Sequence, residues 1–146
     1  MANVSIREDI LELTDDGPRL IGCRCKDCDT HVFPFVKGCA RCTGTDMEKV
    51  ALGTEGTLWA WTIQGFPPKA PPYLGESDPN KFRPYGVGYV ELPNQVKVEA
   101  RLTEADPKKL RTGLPMKLVS LPLKTDDDGN EIHTFAFAPL SNGEGA

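Results

Sequence analysis

The chain has 146 residues, enough for one ordinary domain or for a modest core joined to a metal-stapled module. Seventeen Lys and Arg against 21 Asp and Glu leave a formal charge of −4, which argues against a nucleic-acid role because phosphate binding normally shows as a basic excess. No apolar run approaches the roughly 20 residues that span a bilayer, and no charged-then-apolar leader opens the chain, so a soluble cytoplasmic protein is expected.

Residues 1–20 read as an N-terminal arm. Apolar and charged residues mix from Val4 to Leu13, and Asp15-Asp16-Gly17-Pro18 is a turn signal, so the arm is expected to form a loose hairpin. A short amphipathic helix over Ile6 to Leu13 is the alternative. Residues 21–50 follow as a metal ribbon. Cys25-Lys26-Asp27-Cys28 is separated by ten residues from Cys39-Ala40-Arg41-Cys42, and each C-x-x-C brings two thiolates from one tight turn to the same ion. Two such turns can close a tetrahedral four-sulfur site with no open position, which predicts one structural zinc on Cys25, Cys28, Cys39 and Cys42. Asp29 and Gly44 are candidates for the positive φ that a knuckle tends to need.

Other readings of the five cysteines are weaker. An odd count without a leader does not suit a disulfide framework, and a redox pair would need a single C-x-x-C on a βαβ unit. Iron remains the alternative metal for four thiolates. Cys23 is surplus, and His31 reads as a strand residue rather than a substitute ligand. Val32-Phe33-Pro34-Phe35-Val36 is too small to hide its own apolar face and should pack on the next module.

Residues 51–140 change to an all-β pattern. Thirteen prolines and 14 glycines already favour short strands and loops over long helices. Strands are expected at Gly56 to Ile63, Pro84 to Leu92, Gln95 to Leu102, Leu114 to Leu121 and Ile132 to Ala138. Gly86 and Gly88 suggest a bend or a close backbone approach, and Thr103 to Leu110 a helical turn capped by Thr103. Asp126-Asp127-Asp128-Gly129-Asn130 reads as a hairpin turn, because the bidentate glutamate of a calcium loop is missing. Five short strands with one brief helical insertion fit a small OB-fold barrel, with a sandwich as the runner-up. Residues 141–146 are expected to be a flexible tail.

Gln64 to Arg83 breaks the rhythm. This proline-rich connection of about 20 residues exceeds the usual loop length, and such loops are commonly functional. Its prolines stiffen it toward polyproline II, lowering the entropy lost on docking. Phe66, Tyr73 and Phe82 could anchor a partner, and Lys69, Lys81 and Arg83 could meet phosphates; an ordered flap over the barrel is the plainer reading. Together with Phe33 and Phe35 of the ribbon, this loop is the expected partner surface.

Nothing assembles a catalytic centre. There is no G-x-S-x-G elbow, phosphate-binding glycine loop or H-E-x-x-H. His31 and His133 sit in unrelated contexts. Cys23, with Arg24 and Lys26 nearby, reads as a structural thiol rather than a nucleophile.

The motifs in order are Gly22-x-x-Cys25-x-x-Cys28, Phe33-Pro34, Cys39-x-x-Cys42, Gly56-Thr57, the segment Pro84 to Leu92 and Gly113-Leu114-Pro115-Met116. Over roughly Leu20 to Leu140 the chain resembles the family of small proteins that join a rubredoxin-like zinc ribbon to an OB-fold beside thiolase-like enzymes of acyl-CoA metabolism. The resemblance implies a non-catalytic subunit of a hetero-oligomer whose thiolase-like partner owns the catalytic cysteine and histidines and binds most of the acyl-CoA. The small subunit of a benzoylsuccinyl-CoA thiolase or of a phloroglucinol acetyltransferase complex is the kind it suggests. The chain departs from the family in its short N-terminal arm, in Asp29 where glycine is common and in Ala40 where proline is common. A competing function is single-stranded nucleic-acid binding on the barrel, with Trp59, Trp61 and Tyr89 as stacking platforms; Trp59 and Trp61, at i and i+2, are expected on one strand face.

Overall fold

The computed structural model describes residues 2–140 and is almost entirely β-structure. The expected tail at 141–146 lies outside the described residues. The N-terminal half contains β1 (Asn3–Ser5), β2 (Leu11–Thr14), β3 (Gly17–Cys25), β4 (His31–Val32) and β5 (Met47–Ala51). The C-terminal half contains β6 (Glu55–Gln64), β7 (Tyr85–Glu91), β8 (Lys97–Leu102), β9 (Pro115–Thr125) and β10 (Glu131–Pro139). Among the described residues, no helix is long and apolar enough to cross a membrane.

β6 to β10 close a five-stranded barrel. The strands follow β10-β8-β7-β6-β9, and β9 pairs back onto β10 to complete the ring. Closure removes the free edges that an open sheet of this size would expose. β8 and β10 are parallel at Arg101–Ala136 and Leu102–Phe137, and the other barrel pairings are antiparallel. This is the OB-type architecture expected from the strand spacing.

Alternation decides what fills the barrel. Val90, Val98, Leu102, Met116 and Phe137 are each 1% exposed or less, and the strand neighbours of Val90, Val98 and Met116 face outward. Full burial of such side chains contributes about 1.5–3 kcal/mol each. Leu11 and Leu20 of the arm hairpin and Leu52 of the connection belong to the same buried cluster, so the ribbon and the barrel share one core.

Several local features differ from the sequence reading. The segment Ile6 to Leu13 is not helical: a turn leads into β2, which pairs with β3 as the expected hairpin. The arm also contributes β1, which pairs in parallel with β10 from Asn3–Glu131 to Ser5–His133. The short 3-10 turn at Pro107–Lys109 is capped by Asp106, whose carboxylate accepts the Lys108 N–H at 2.9 Å. Thr103, the expected cap, instead donates its N–H to the Phe137 carbonyl and continues the β8–β10 pairing.

Trp59 and Trp61 do not share a face. An irregularity between Leu58 and Ala60 shifts the β6–β7 register, and such a bulge cancels the two-residue period locally. Trp59 is 50% exposed, whereas Trp61 packs against the core. Trp61 lies opposite Gly88 in the ladder. A Cβ on Gly88 would lie 2.6 Å from the Ala60 carbonyl oxygen and 2.9 Å from Leu58 Cδ1, so only glycine fits.

Candidate metal centre and barrel face

The last residue of β3 is Cys25, and the turn after it delivers Cys28 to the same side. The Asp29 N–H bonds to the Cys25 carbonyl at 2.8 Å. The second knuckle repeats this pattern, with the Thr43 N–H on the Cys39 carbonyl at 2.9 Å. Asp29 and Thr43 occupy equivalent positions and both have positive φ, 69° and 63°. Asp29 is thus as expected, but Thr43 rather than Gly44 takes the left-handed conformation in the second knuckle. Gly44 is required for proximity instead: a Cβ there would lie 2.5 Å from Asp27 Oδ2 and 3.2 Å from Cys42 Sγ.

The two knuckles bring four sulfurs together. Cys25 Sγ is 3.6 Å from Cys42 Sγ, and Cys28 Sγ is 3.5 Å from Cys39 Sγ. All four ligand atoms lie within 4.8 Å of one another. Zinc–sulfur bonds of about 2.3 Å in a tetrahedron would set neighbouring sulfurs about 3.8 Å apart, so the arrangement suits one ion. All five cysteines are free thiols, with Cys25 and Cys39 buried and Cys42 facing solvent.

Polar groups around the sulfurs favour thiolates. The Arg41 N–H points at Cys39 Sγ and the Gly44 N–H at Cys42 Sγ, each at 3.4 Å, and the Thr30 hydroxyl lies 3.2 Å from Cys28 Sγ. The hydroxyl and then the backbone N–H of Thr30 draw the Cys28 thiol down to about 6. The Gly44 N–H favours ionisation of Cys42, but the combined opposition of the Cys25, Cys28 and Cys39 sulfurs pushes it up to about 12. Four crowded sulfurs cannot all ionise without a cation, and a divalent metal removes that conflict.

The other candidate ligands stay outside the cluster. Cys23 is fully buried in β3 with its Sγ toward the Val36 carbonyl, and His31 pairs with Arg24 in the ladder. Arg24 is held by Asp29 at 2.8 Å and Glu48 at 3.0 Å, ion pairs that brace the ribbon. His133 is buried in the barrel wall, with Nε2 3.0 Å from Glu131 Oε1. The Asp126 carboxylate accepts the N–H groups of Asp128 and Asn130, so the acidic turn satisfies itself.

The expected partner residues fall in three places. Phe33 packs edge-on against Phe135 of the barrel, and Phe35 lies half-buried with Lys49 Nζ 5.7 Å from its ring centroid. Tyr73 is half-buried within the proline-rich loop, and Phe82 stacks edge-on against Tyr85. Phe66 is 69% exposed, Leu74 is 45% exposed, and Lys69, Lys81 and Arg83 all face solvent. A second exposed aromatic pair joins Trp59 to Tyr89, with Lys97 Nζ 4.6 Å from the Trp59 ring centroid. The sequence reading missed Leu74 and Arg101. Arg101 was findable, because the alternation along β8 already places it on the outer face.

Both modules match known family models. Residues 17–48 match the rubredoxin-like zinc ribbon domain of ChsH2, and residues 49–120 match the C-terminal OB-fold domain of ChsH2. A DUF35 domain-containing scaffold protein of Methanocaldococcus jannaschii is 28% identical over 84% of this chain and 83% of its own length. The benzoylsuccinyl-CoA thiolase subunit BbsA of Thauera aromatica is 29% identical over 90% of this chain and 85% of its own. Among solved structures, a chain of the Ltp2-ChsH2(DUF35) aldolase superposes with a TM-score of 0.60 at 25% identity, covering 83% of this chain and 84% of that one.

Proposed function

The chain belongs to the ChsH2-type family that joins a rubredoxin-like zinc ribbon to an OB-fold, and from that premise we propose that it is a non-catalytic subunit of a thiolase-like complex acting on an acyl-CoA thioester. The observation that carries this reading is the similarity to a benzoylsuccinyl-CoA thiolase subunit across both modules, over 90% of this chain. Cleavage or formation of a carbon–carbon bond, as in benzoylsuccinyl-CoA thiolysis, is the corresponding reaction. The partner's cysteine takes the acyl group, and this chain braces the complex.

The chain's own chemistry suits that division of labour. Four cysteines are grouped as metal ligands, and the fifth is fully buried and cannot reach a substrate. The proline-rich loop presents Phe66 and Leu74 to solvent, apolar surface that a subunit interface would cover. Lys69, Lys81 and Arg83 are exposed along the same loop, and we assign them to the phosphates of a coenzyme A held mainly by the partner. The test is purification from the native host at low salt. A thiolase-like protein recovered in fixed stoichiometry is expected, and turnover of an acyl-CoA thioester by the isolated chain would overturn the reading.

The second reading, single-stranded nucleic-acid binding, has one observation in its favour: Trp59 and Tyr89 are exposed side by side beside Lys97. The formal charge of −4 opposes it. Fluorescence anisotropy with a labelled oligonucleotide at physiological salt separates the two readings.

A further inference from the structure

The proline-rich loop does not stand clear of the barrel. Pro72, Tyr73 and Leu74 lie over the outer face of β7 and β8, leaving a cleft of about 420 Å³ beneath them. That volume falls within the range of small-molecule sites, roughly 300–1,000 Å³. Its walls are largely apolar, with the rings of Tyr73, Tyr85 and Phe135 and the side chain of Val87 facing the space. In OB-folds this sheet face and the loop between the first two strands are where ligands sit. Here the loop adds one wall to an otherwise open platform and makes a shallow cleft of it.

One cation interrupts the apolar lining. Arg101 pairs with Val87 across the β7–β8 ladder, and its guanidinium carbon stands 4.1 Å from the centroid of the Tyr85 ring. Stacking occupies one face of the guanidinium and leaves the N–H donors along its edge available. Among the described residues Arg101 forms no ion pair. Glu99 also borders the cleft, but it is exposed and does not pair with Arg101. The side chain is half-buried, where a guanidinium gains more from a carboxylate than it does in open water. A phosphate would call for more than one cation or a helix N-terminus, and this cleft has neither.

We propose that this cleft is a binding site for a small aryl carboxylate, with Arg101 forking the carboxylate and Tyr73, Val87 and Phe135 enclosing the ring. The site belongs to this chain alone, so its existence does not depend on whether a catalytic partner is recovered. Amide chemical shifts of the zinc-loaded full chain, titrated with 3-phenylpropionate and separately with its neutral amide, test it. Shifts should concentrate at Tyr73, Leu74, Tyr85 and Arg101, and the acid should bind about tenfold more tightly than the amide. Arg101→Gln should remove that preference, Arg101→Lys should retain part of it, and Val87→Trp should fill the cleft and abolish both titrations. Equal affinity for acid and amide, shifts located elsewhere, or no shift at about 10 mM acid would overturn the proposal. The acid-against-amide comparison uses the unaltered chain, so it decides the matter even if Arg101→Gln fails to fold.

Discussion

Phe33 of the ribbon stands edge-on to Phe135 of β10, with ring centroids 5.8 Å apart and planes at 89°. Phe33 lies in the spacer between the two knuckles, and Phe135 also forms part of the cleft wall beneath the proline-rich loop. The pair therefore joins the metal-bearing hairpin to the barrel wall. Edge-to-face aromatic pairs contribute about 0.5–1.5 kcal/mol beyond their buried area. Phe33→Ala should lower global stability by about 1–3 kcal/mol while leaving metal content at one equivalent, as read by urea unfolding and elemental analysis. A ribbon and barrel that melt independently in the unaltered chain would contradict the shared core.

The metal site makes the sharpest prediction. Closed sulfur sites contribute directly to folding, so Cys28→Ser should release the ion and unfold the ribbon. Cys23→Ser, which alters the thiol outside the cluster, should keep its zinc. Full zinc occupancy in Cys28→Ser, or iron in the unaltered protein, would refute the assignment.

Gly88→Ala tests the barrel interior. The added methyl meets the Ala60 carbonyl oxygen at 2.6 Å, a backbone atom that cannot swing aside. A loss of about 1–3 kcal/mol is expected from overpacking, measured by denaturant midpoint at unchanged m-value. An unchanged midpoint would show that β6 and β7 have slack at this point.

Phe66→Ala addresses association. Its ring is 69% exposed, so the isolated chain should lose no more than about 0.5 kcal/mol of stability. An aromatic anchor at an interface commonly costs about 2 kcal/mol, roughly 30-fold in affinity, and partner binding should fall by that order. Affinity for a thiolase-like subunit unchanged by Phe66→Ala and Leu74→Ala would remove this loop from the interface.

Much of this architecture could be read from residues alone because it rests on local periodicity and spacing. Val96 to Leu102 alternates cleanly, and the two C-x-x-C turns fix their own ligands. What could not be read rests on pairing between distant segments or on single-residue irregularities. Asn3-Val4-Ser5 carries no period of its own and becomes a strand only by pairing with Glu131 to His133, the part of β10 ahead of its two-residue pairing with β8. The bulge at Trp59 inserts a residue without changing composition, so a simple count of two put both tryptophans on one face. Thr43 adopts a left-handed conformation beside a glycine better suited to it, while Gly44 is needed for its close approach to Asp27 and the Cys42 sulfur. The cleft is likewise invisible in sequence, since it needs the β6–β7 loop to fold back beside β8 and β10, strands that it does not join.

The β1–β10 pairing bears on how the chain is made. Ala2 reaches Asn130 across a separation of 128 positions, and the first strand of the described residues pairs with their last. The metal knuckles are complete once Cys42 has emerged and can load their ion early. The barrel cannot close until β10 is free of the exit tunnel, so the N-terminal strand waits without its partner throughout elongation. A bulky group attached just ahead of β1 would compete with that final docking step.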